Sequence, residues 1–241
     1  EQPGLGTNAE AASYALWTTY ETFFSESHEF DGLKLLALFT HGPGQIHSNF
    51  PVNSIDDLKD KKIRIGGGVQ SIIAEKFHVT PVGAPAPKVY EMMQQGVIDG
   101  AFLPTVEQKV LRLSEVTTYL TIFPDGLYMG SFSMFMNPDV FEDLDKEDQK
   151  AVNDASGEVL SVLAGKAWDA SDAAGVESAR ENGVTVTTLS PNDKLVKDVQ
   201  ATLSDASASW IKTADDKGYN GSNALKYLRD AAHQYAAKHG E

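Results

Sequence analysis

Arg64 stands between Ile63 and Ile65, in a short apolar stretch that reads as a strand. With both neighbours drawn into a core, its guanidinium is carried towards the interior, where an uncompensated cation is costly. It needs an anion, and its planar fork matches a carboxylate through two parallel hydrogen bonds. Two kinds of partner satisfy it: a protein carboxylate such as Asp57 or Asp99, or the carboxylate of a bound ligand. Gly66-Gly67-Gly68 follows the strand directly and precedes a helical pattern through Ile72, Ile73, Ala74 and Phe77. Bare N–H groups at a helix start favour anions. The Gly-Lys-Ser/Thr of a nucleotide loop is missing, as is any G-x-G-x-x-G. That leaves a tight strand-to-helix turn or a ligand close to the backbone, and both call for glycine.

His41 and His47 are six residues apart, the first within a stretch, Thr40-His41-Gly42-Pro43-Gly44-Gln45, that reads as loop. The other histidines (28, 78, 233 and 239) are scattered, so no metal-ligand spacing arises. His41 reads either as a hydrogen-bond donor to a ligand or as a capped loop histidine. Neither G-x-S-x-G nor H-E-x-x-H occurs, and Asp56-Asp57 and Asp215-Asp216 read as solvated helix ends. No catalytic residue, metal or cofactor is assigned. The aromatic residues Phe39, Phe102, Phe123, Tyr128, Phe132 and Phe135 read chiefly as core, with one or two sufficient to wall a ligand.

The 241 residues carry 20 Lys and Arg against 34 Asp and Glu, a formal net charge of −14. Nucleic acids and anionic membranes need a basic face, so both are set aside as partners. With no cysteine there is no disulfide framework, thiol nucleophile or Cys-ligated zinc. No apolar run reaches the roughly 18 residues of a membrane-spanning helix, so no membrane insertion is expected. The chain opens on Glu1 without a basic and apolar leader, and reads as processed or as a fragment.

Hydrophobic periodicity describes the scaffold. Thr7-Asn8-Ala9-Glu10 has the form of a capping box opening a helix to about Ser25, after a loop at Pro3-Gly4-Leu5-Gly6. Residues 33–39 (LKLLALF) read as a strand buried on both faces, and the loop beyond such a strand is where open α/β sheets bind ligands. Ser54 to Asp57 cap a short helix. Residues 63–65, 79–84 and 97–103 read as strands with helices between them, Pro87 opening one helix and Gly96 ending it. Residues 119–123 and 127–137 are β-rich. From Asp145 to about Asn182 a helical pattern runs without proline, roughly 35 residues or about 50 Å. Its glycines at 157, 165 and 175 cost about 1 kcal/mol each and are the places for a kink. Residues 184–189 read as a strand, 190–193 cap a helix to about Asp216, and 222–239 form the last helix. Strands alternating with short helices predict the α/β class.

Three segments carry a family resemblance: residues 32–47 (GLKLLALFTHGPGQIH), 54–68 (SIDDLKDKKIRIGGG) and 84–100 (APAPKVYEMMQQGVIDG). The strings D-L-K-x-x-K-I-R and P-x-x-x-V-Y-E-x-x-Q-x-G-V-x-D-G resemble those of the DctP-like substrate-binding proteins of tripartite ATP-independent periplasmic (TRAP) transporters. The likeness runs on through residues 123–137 and the long helix. It implies a two-lobed periplasmic binding protein-like fold with an interlobe cleft and a long bridging helix. It also implies an opening β-α-β segment ahead of Glu1 in the natural protein. Approximate lobe limits are 1–44 with 150–190, and 45–149 with 191–241.

Arg64 falls on the family's carboxylate-binding arginine, in agreement with its burial. Lys88 stands where many relatives carry Glu. The expected function is capture of a small organic acid in the periplasm, as a monomer without chemistry of its own, and delivery to TRAP membrane subunits. Arg64 would hold the carboxylate. Backbone N–H groups of Gly66, Gly67 and Gly68, with His41 and Gln45, would bind oxygens, and Phe39, Phe123, Tyr128 and Phe132 would wall the apolar body. A second cationic clamp is not evident, although Lys88, Lys109 and Arg112 are candidates, so the ligand leans to an aromatic or branched monocarboxylate over a dicarboxylate. The alternative is an enzyme on the same scaffold, which requires a nucleophile–base pair that no spacing supplies.

Overall fold

The computed structural model describes residues 4–239. Along the chain the elements begin α1 (Ala9–Thr19), β1 (Lys34–Thr40), β2 (Gly44–Ser48), β3 (Lys62–Ile65), α2 (Val69–Lys76), β4 (Thr80–Gly83), α3 (Val89–Gln94), β5 (Gly100–Pro104) and α4 (Glu107–Val110). They continue β6 (Tyr119–Ile122), β7 (Ser131–Met136), α5 (Pro138–Glu142), α6 (Lys146–Ala155), α7 (Glu158–Glu181), β8 (Thr185–Thr188), α8 (Lys194–Thr202), α9 (Ala208–Asp216) and α10 (Gly221–His239). The expected α/β class is observed. The chain divides into two compact units, one of residues 4–6, Gly42–Met129 and Ala170–Ser207, the other of Thr7–His41, Gly130–Asp169 and residues 208–239.

The first unit is built on a six-stranded mixed sheet in the order β4-β3-β5-β2-β6-β8. β3 runs parallel to β4 and β5, while β2 runs antiparallel to both of its neighbours, β5 and β6. Ile46, Ile63, Ile65, Ile73, Phe77 and Phe102 pack into one core cluster, and Ala101, Leu103, Val89 and Met93 into another. Adjacent residues of β5 thus feed different clusters, as the two-residue period of a strand requires. Each fully buried large side chain contributes about 1.5–3 kcal/mol.

The second unit holds a two-stranded antiparallel sheet of β1 and β7, with a bulge between Leu35 and Ala37. The expectation that β1 is buried on both faces is corrected: only Ala37, Leu38 and Thr40 of the strand are buried, and Leu33 just before it is 41% exposed. Side chains on helices bind its backbone, Ser13 Oγ accepting from Thr40 N at 2.9 Å and Ser161 Oγ from Leu38 N at 3.2 Å.

The start of α1 is capped differently from the expected Thr7–Glu10 box. Asn8 is the cap, its Oδ1 accepting from Ala11 N, and Asp169 of α7 accepts from Ala9 N at 2.7 Å and Glu10 N at 2.8 Å. A carboxylate from a distant helix meets the positive end of α1 better than a local side chain does. In the preceding loop Pro3 lies outside the described residues, while Gly4 and Gly6 have positive φ and Leu5 is buried.

The long helical pattern is two helices. Gly157 breaks it with φ +73°, its N–H donating to Leu36 O, and α7 starts afresh at Glu158. α7 continues through Gly165 and Gly175, which let it approach other backbone, since a Cβ there would lie 2.4 Å from Ala9 O and 2.1 Å from Thr105 O. The helix expected to reach Asp216 is likewise interrupted after Thr202, where Leu203 and Ala206 turn into the first unit's core.

Candidate functional site

Arg64 sits on β3, and because Ile63 and Ile65 fill the core, alternation sends its side chain to the opposite face, 5% exposed. Its Nε donates to Ala84 O at 2.8 Å and one terminal nitrogen reaches Phe102 O at 3.5 Å. Carbonyls satisfy N–H groups without neutralising the charge. Neither internal partner considered for it is used in that way. Asp57 accepts from Asn53 N and Ser54 N, and Asp99 from Lys62 N. Among the described residues, no carboxylate lies within 4.0 Å of the guanidinium. Burial lowers the Arg64 pKa, while Tyr128 and Glu107 act to raise it.

Glu107 and Asp172 complete a charged cluster that the sequence does not mark. Glu107 opens α4, and its Oε2 is buried with no hydrogen-bond partner. Burial, and then the Asp172 charge, push its carboxyl up to about 7, against the pull of Arg64. Asp172 Oδ1 accepts from Val106 N at 2.7 Å, and its backbone carbonyl accepts from Thr105 Oγ1 at 3.1 Å. A Cβ on Gly42 would fall 1.7 Å from Asp172 Oδ2, so the Asp172 carboxylate packs directly against this glycine. One buried cation and two carboxyls therefore share this part of the first unit.

The other expected groups of this unit are bonded within it. Gly66 N–H donates to Gln70 Oε1 at 2.9 Å, and Gly67 and Gly68 take positive φ as the chain turns into α2. Gln45 clamps Phe123, accepting from its N–H at 2.8 Å and donating to its carbonyl at 3.2 Å. Gly44 and Gln45 belong to β2, not to a loop, because Gly44 lies flat against the Tyr128 ring and pairs with Tyr128 O. Phe123 and Tyr128 are core residues, and the Tyr128 hydroxyl donates to Phe102 O, the carbonyl that Arg64 also reaches. Lys88 and Arg112 lie on the surface paired with Glu91 and Glu115.

His47 also lies in β2, fully buried, with Nε2 3.0 Å from Leu103 O and Nδ1 2.7 Å from Gln108 Nε2. Burial holds its pKa down to about 4 from 6.5. It and Glu107 shape stability in opposite senses. Between about pH 4 and 6.5 the unfolded chain binds the His47 proton and the folded one does not, so this contribution grows with pH. Between 4.5 and about 7 the folded chain holds the Glu107 proton, so that contribution is complete at low pH and lost as pH rises. Removing Glu107 as Glu107→Gln is expected to make stability rise more steeply with pH from 4.5 to 6.5 than in the wild type, measured by urea denaturation. Parallel profiles for the two proteins would refute the raised Glu107 proton affinity.

In the second unit, β1 and β7 pair Phe39 with Phe132, whose rings stack at 5.5 Å. Trp168 of α7 lies parallel to Phe132 at 6.2 Å, and His41 is 6.0 Å from both. His41 Nε2 accepts from Gly130 N at 3.0 Å, which places the proton of the neutral ring on Nδ1. Trp168 was legible only as one more apolar position of a helix. Phe135 stands apart, 51% exposed, and Phe102 is fully buried in the core of the first unit.

An α/β scaffold of two compact units agrees with the solute-binding fold that the sequence resemblance implies. Residues 5–208 match the bacterial extracellular solute-binding proteins, family 7 (DctP), and the chain belongs to that family. It is 33% identical to a TRAP periplasmic solute-binding protein of Bordetella bronchiseptica solved with bound (R)- and (S)-mandelate, at a TM-score of 0.90 over 97% of this chain and 74% of that one. A TRAP solute-binding protein of Rhodoferax ferrireducens, in complex with copurified benzoate, is 27% identical at the same TM-score of 0.90, over 98% of this chain and 74% of that one. The curated protein TsaT of Comamonas testosteroni, named an outer membrane transporter protein, is 30% identical over 95% of this chain and 68% of its own length. Both similar structures are two-lobed solute-binding proteins, and this chain has their fold. Among the described residues, no helix is long and apolar enough to cross a membrane.

Proposed function

We propose that this protein captures a small aromatic monocarboxylate in the periplasm and delivers it to the membrane subunits of a TRAP transporter. The observation that carries the reading is Arg64, buried, bonded only to carbonyl oxygens and with no carboxylate in ion-pair range among the described residues. A ligand carboxylate supplies the missing charge. Mandelate and benzoate, bound by the two similar structures, are acids of this kind. Within the second unit the rings of Phe39, Phe132 and Trp168 stack beside His41, an apolar surface of the kind that an aromatic acid uses. Of the candidate second clamps, Lys88 and Arg112 are paired at the surface and Lys109 is exposed on α4, so Arg64 is the one buried cation argued for the site, which favours monoacids. The protein works as a monomer.

A thermal-shift series of benzoate, (R)-mandelate, succinate and glucose tests this. A cognate acid at about 100 times its Kd adds about 2.7 kcal/mol, which in a chain of this size raises Tm by roughly 5–10 °C. Benzoate or mandelate is expected to give that shift, and a shift from glucose alone would overturn the reading. Trp168→Ala is expected to weaken benzoate binding about fivefold through loss of ring stacking. Calorimetry with an unchanged Kd would remove Trp168 from the site.

A further inference from the structure

The Arg64 cluster holds one positive and two negative groups within the first unit, and its parts are unequally restrained. Asp172 is fixed by Val106 N and hemmed in by Gly42. Arg64 is fixed by Ala84 O and Phe102 O. Glu107 alone has a buried oxygen that bonds to nothing among the described residues. Arg64 and Glu107 feel each other's charge, yet stand more than 4.0 Å apart, so they form no direct ion pair. A buried cation and a buried carboxyl left unjoined in this way are two ends of a site for a third group.

We propose that Glu107 is a second ligand-binding group of the Arg64 site, which takes up a proton from solvent as the ligand carboxylate arrives and donates it back as a hydrogen bond to that ligand. The inference rests on the reading of Arg64 as the carboxylate clamp. Charge counting motivates it. With Arg64, Glu107 and Asp172 all ionised the cluster carries −1, and an incoming carboxylate makes it −2 in a poorly solvated place. Like charges so confined repel by several kcal/mol at the dielectric of a protein interior. One proton on Glu107 restores the original charge and turns a repelling acceptor into a donor. Its carboxyl is already poised near pH 7, so the proton costs little.

The other groups around it leave Glu107 as the one that titrates. Arg64 on β3 stays charged, Asp172 on α7 is held by Val106 N, and the Tyr128 hydroxyl donates to Phe102 O. His47 on β2, bonded to the adjacent Gln108, is neutral near pH 7. The consequence for specificity is that the site takes a monoanion together with a proton, and a second ligand charge at this point has nothing to neutralise it.

Calorimetry with benzoate or (R)-mandelate, whichever gives the larger thermal shift, tests this in phosphate and in Tris at pH 7. These buffers differ in ionisation enthalpy, so the difference in heat counts protons. The wild type is expected to take up about half a proton per ligand, and its affinity to fall by up to about tenfold per pH unit above pH 7. Glu107→Gln, which keeps a hydrogen-bond donor, is expected to take up none and to bind with little pH dependence from 6 to 8. No proton uptake by the wild type, with affinity flat over that range, would overturn the proposal even if the variant failed to fold. Arg64→Met separates the two readings. If it binds as the wild type does, or if no carboxylate binds at all, the clamp falls and the Glu107 role with it. If it loses binding while the wild type takes up no proton, the clamp stands and only the Glu107 role is refuted.

Discussion

Arg64→Met binds benzoate or mandelate at least thirtyfold more weakly than the wild type, while the ligand-free protein keeps its fold. Truncating one partner of a buried, hydrogen-bonded charge pair costs about 2–5 kcal/mol, and each 1.4 kcal/mol is tenfold in affinity. The second half of the expectation is the more telling. A guanidinium with an internal counter-ion stabilises the empty protein, and its loss strands a buried carboxylate. Among the described residues Arg64 bonds only to carbonyls, so an apolar chain of similar length removes a buried cation that no ion pair holds, and Glu107, its pKa already raised by burial, takes up a proton in place of the lost positive charge. The melting temperature without ligand is therefore expected to hold or rise, although Ala84 O gives up its hydrogen bond. Calorimetry and a thermal melt on one preparation read both quantities. A large drop in Tm with unchanged Kd would make Arg64 a structural residue.

Gly175→Ala is expected to lower Tm by roughly 2–12 °C. Its new methyl would lie 2.1 Å from Thr105 O and within 2.7 Å of Val106 Cα, all backbone. Overpacking of this kind costs up to about 3 kcal/mol, and each kcal/mol is about 2–4 °C for a chain of this length. The same displacement pulls Asp172 from Val106 N, so ligand affinity should fall along with stability. A Tm within 2 °C of the wild type would mean that α7 shifts along this contact freely.

The strand β3 and its glycine turn were readable because an apolar pair, a cation and three glycines leave one local solution. Ser54 with Asp57 was readable for a similar reason, and both halves of its capping box are present. The start of α1 was not. Thr7 and Asn8 are both good caps, and the choice fell to Asn8 and Asp169, the latter some 160 residues away. The break at Gly157 resisted sequence reading as well. A glycine in a helical run is tolerated or decisive according to what its N–H meets, and here it meets Leu36 O.

What the residues determined alone was the α/β class, the acidic surface, the family likeness and the burial of Arg64, since each follows from composition or short-range periodicity. Only the tertiary structure decided which charges surround that arginine. Asp57 and Asp99 are nearby in sequence logic but are spent on backbone N–H groups, whereas Glu107 and Asp172 reach the cluster from α4 and α7. Nothing local distinguishes a carboxylate that will be desolvated from one that stays in water, because desolvation is set by whatever packs around it from elsewhere in the chain.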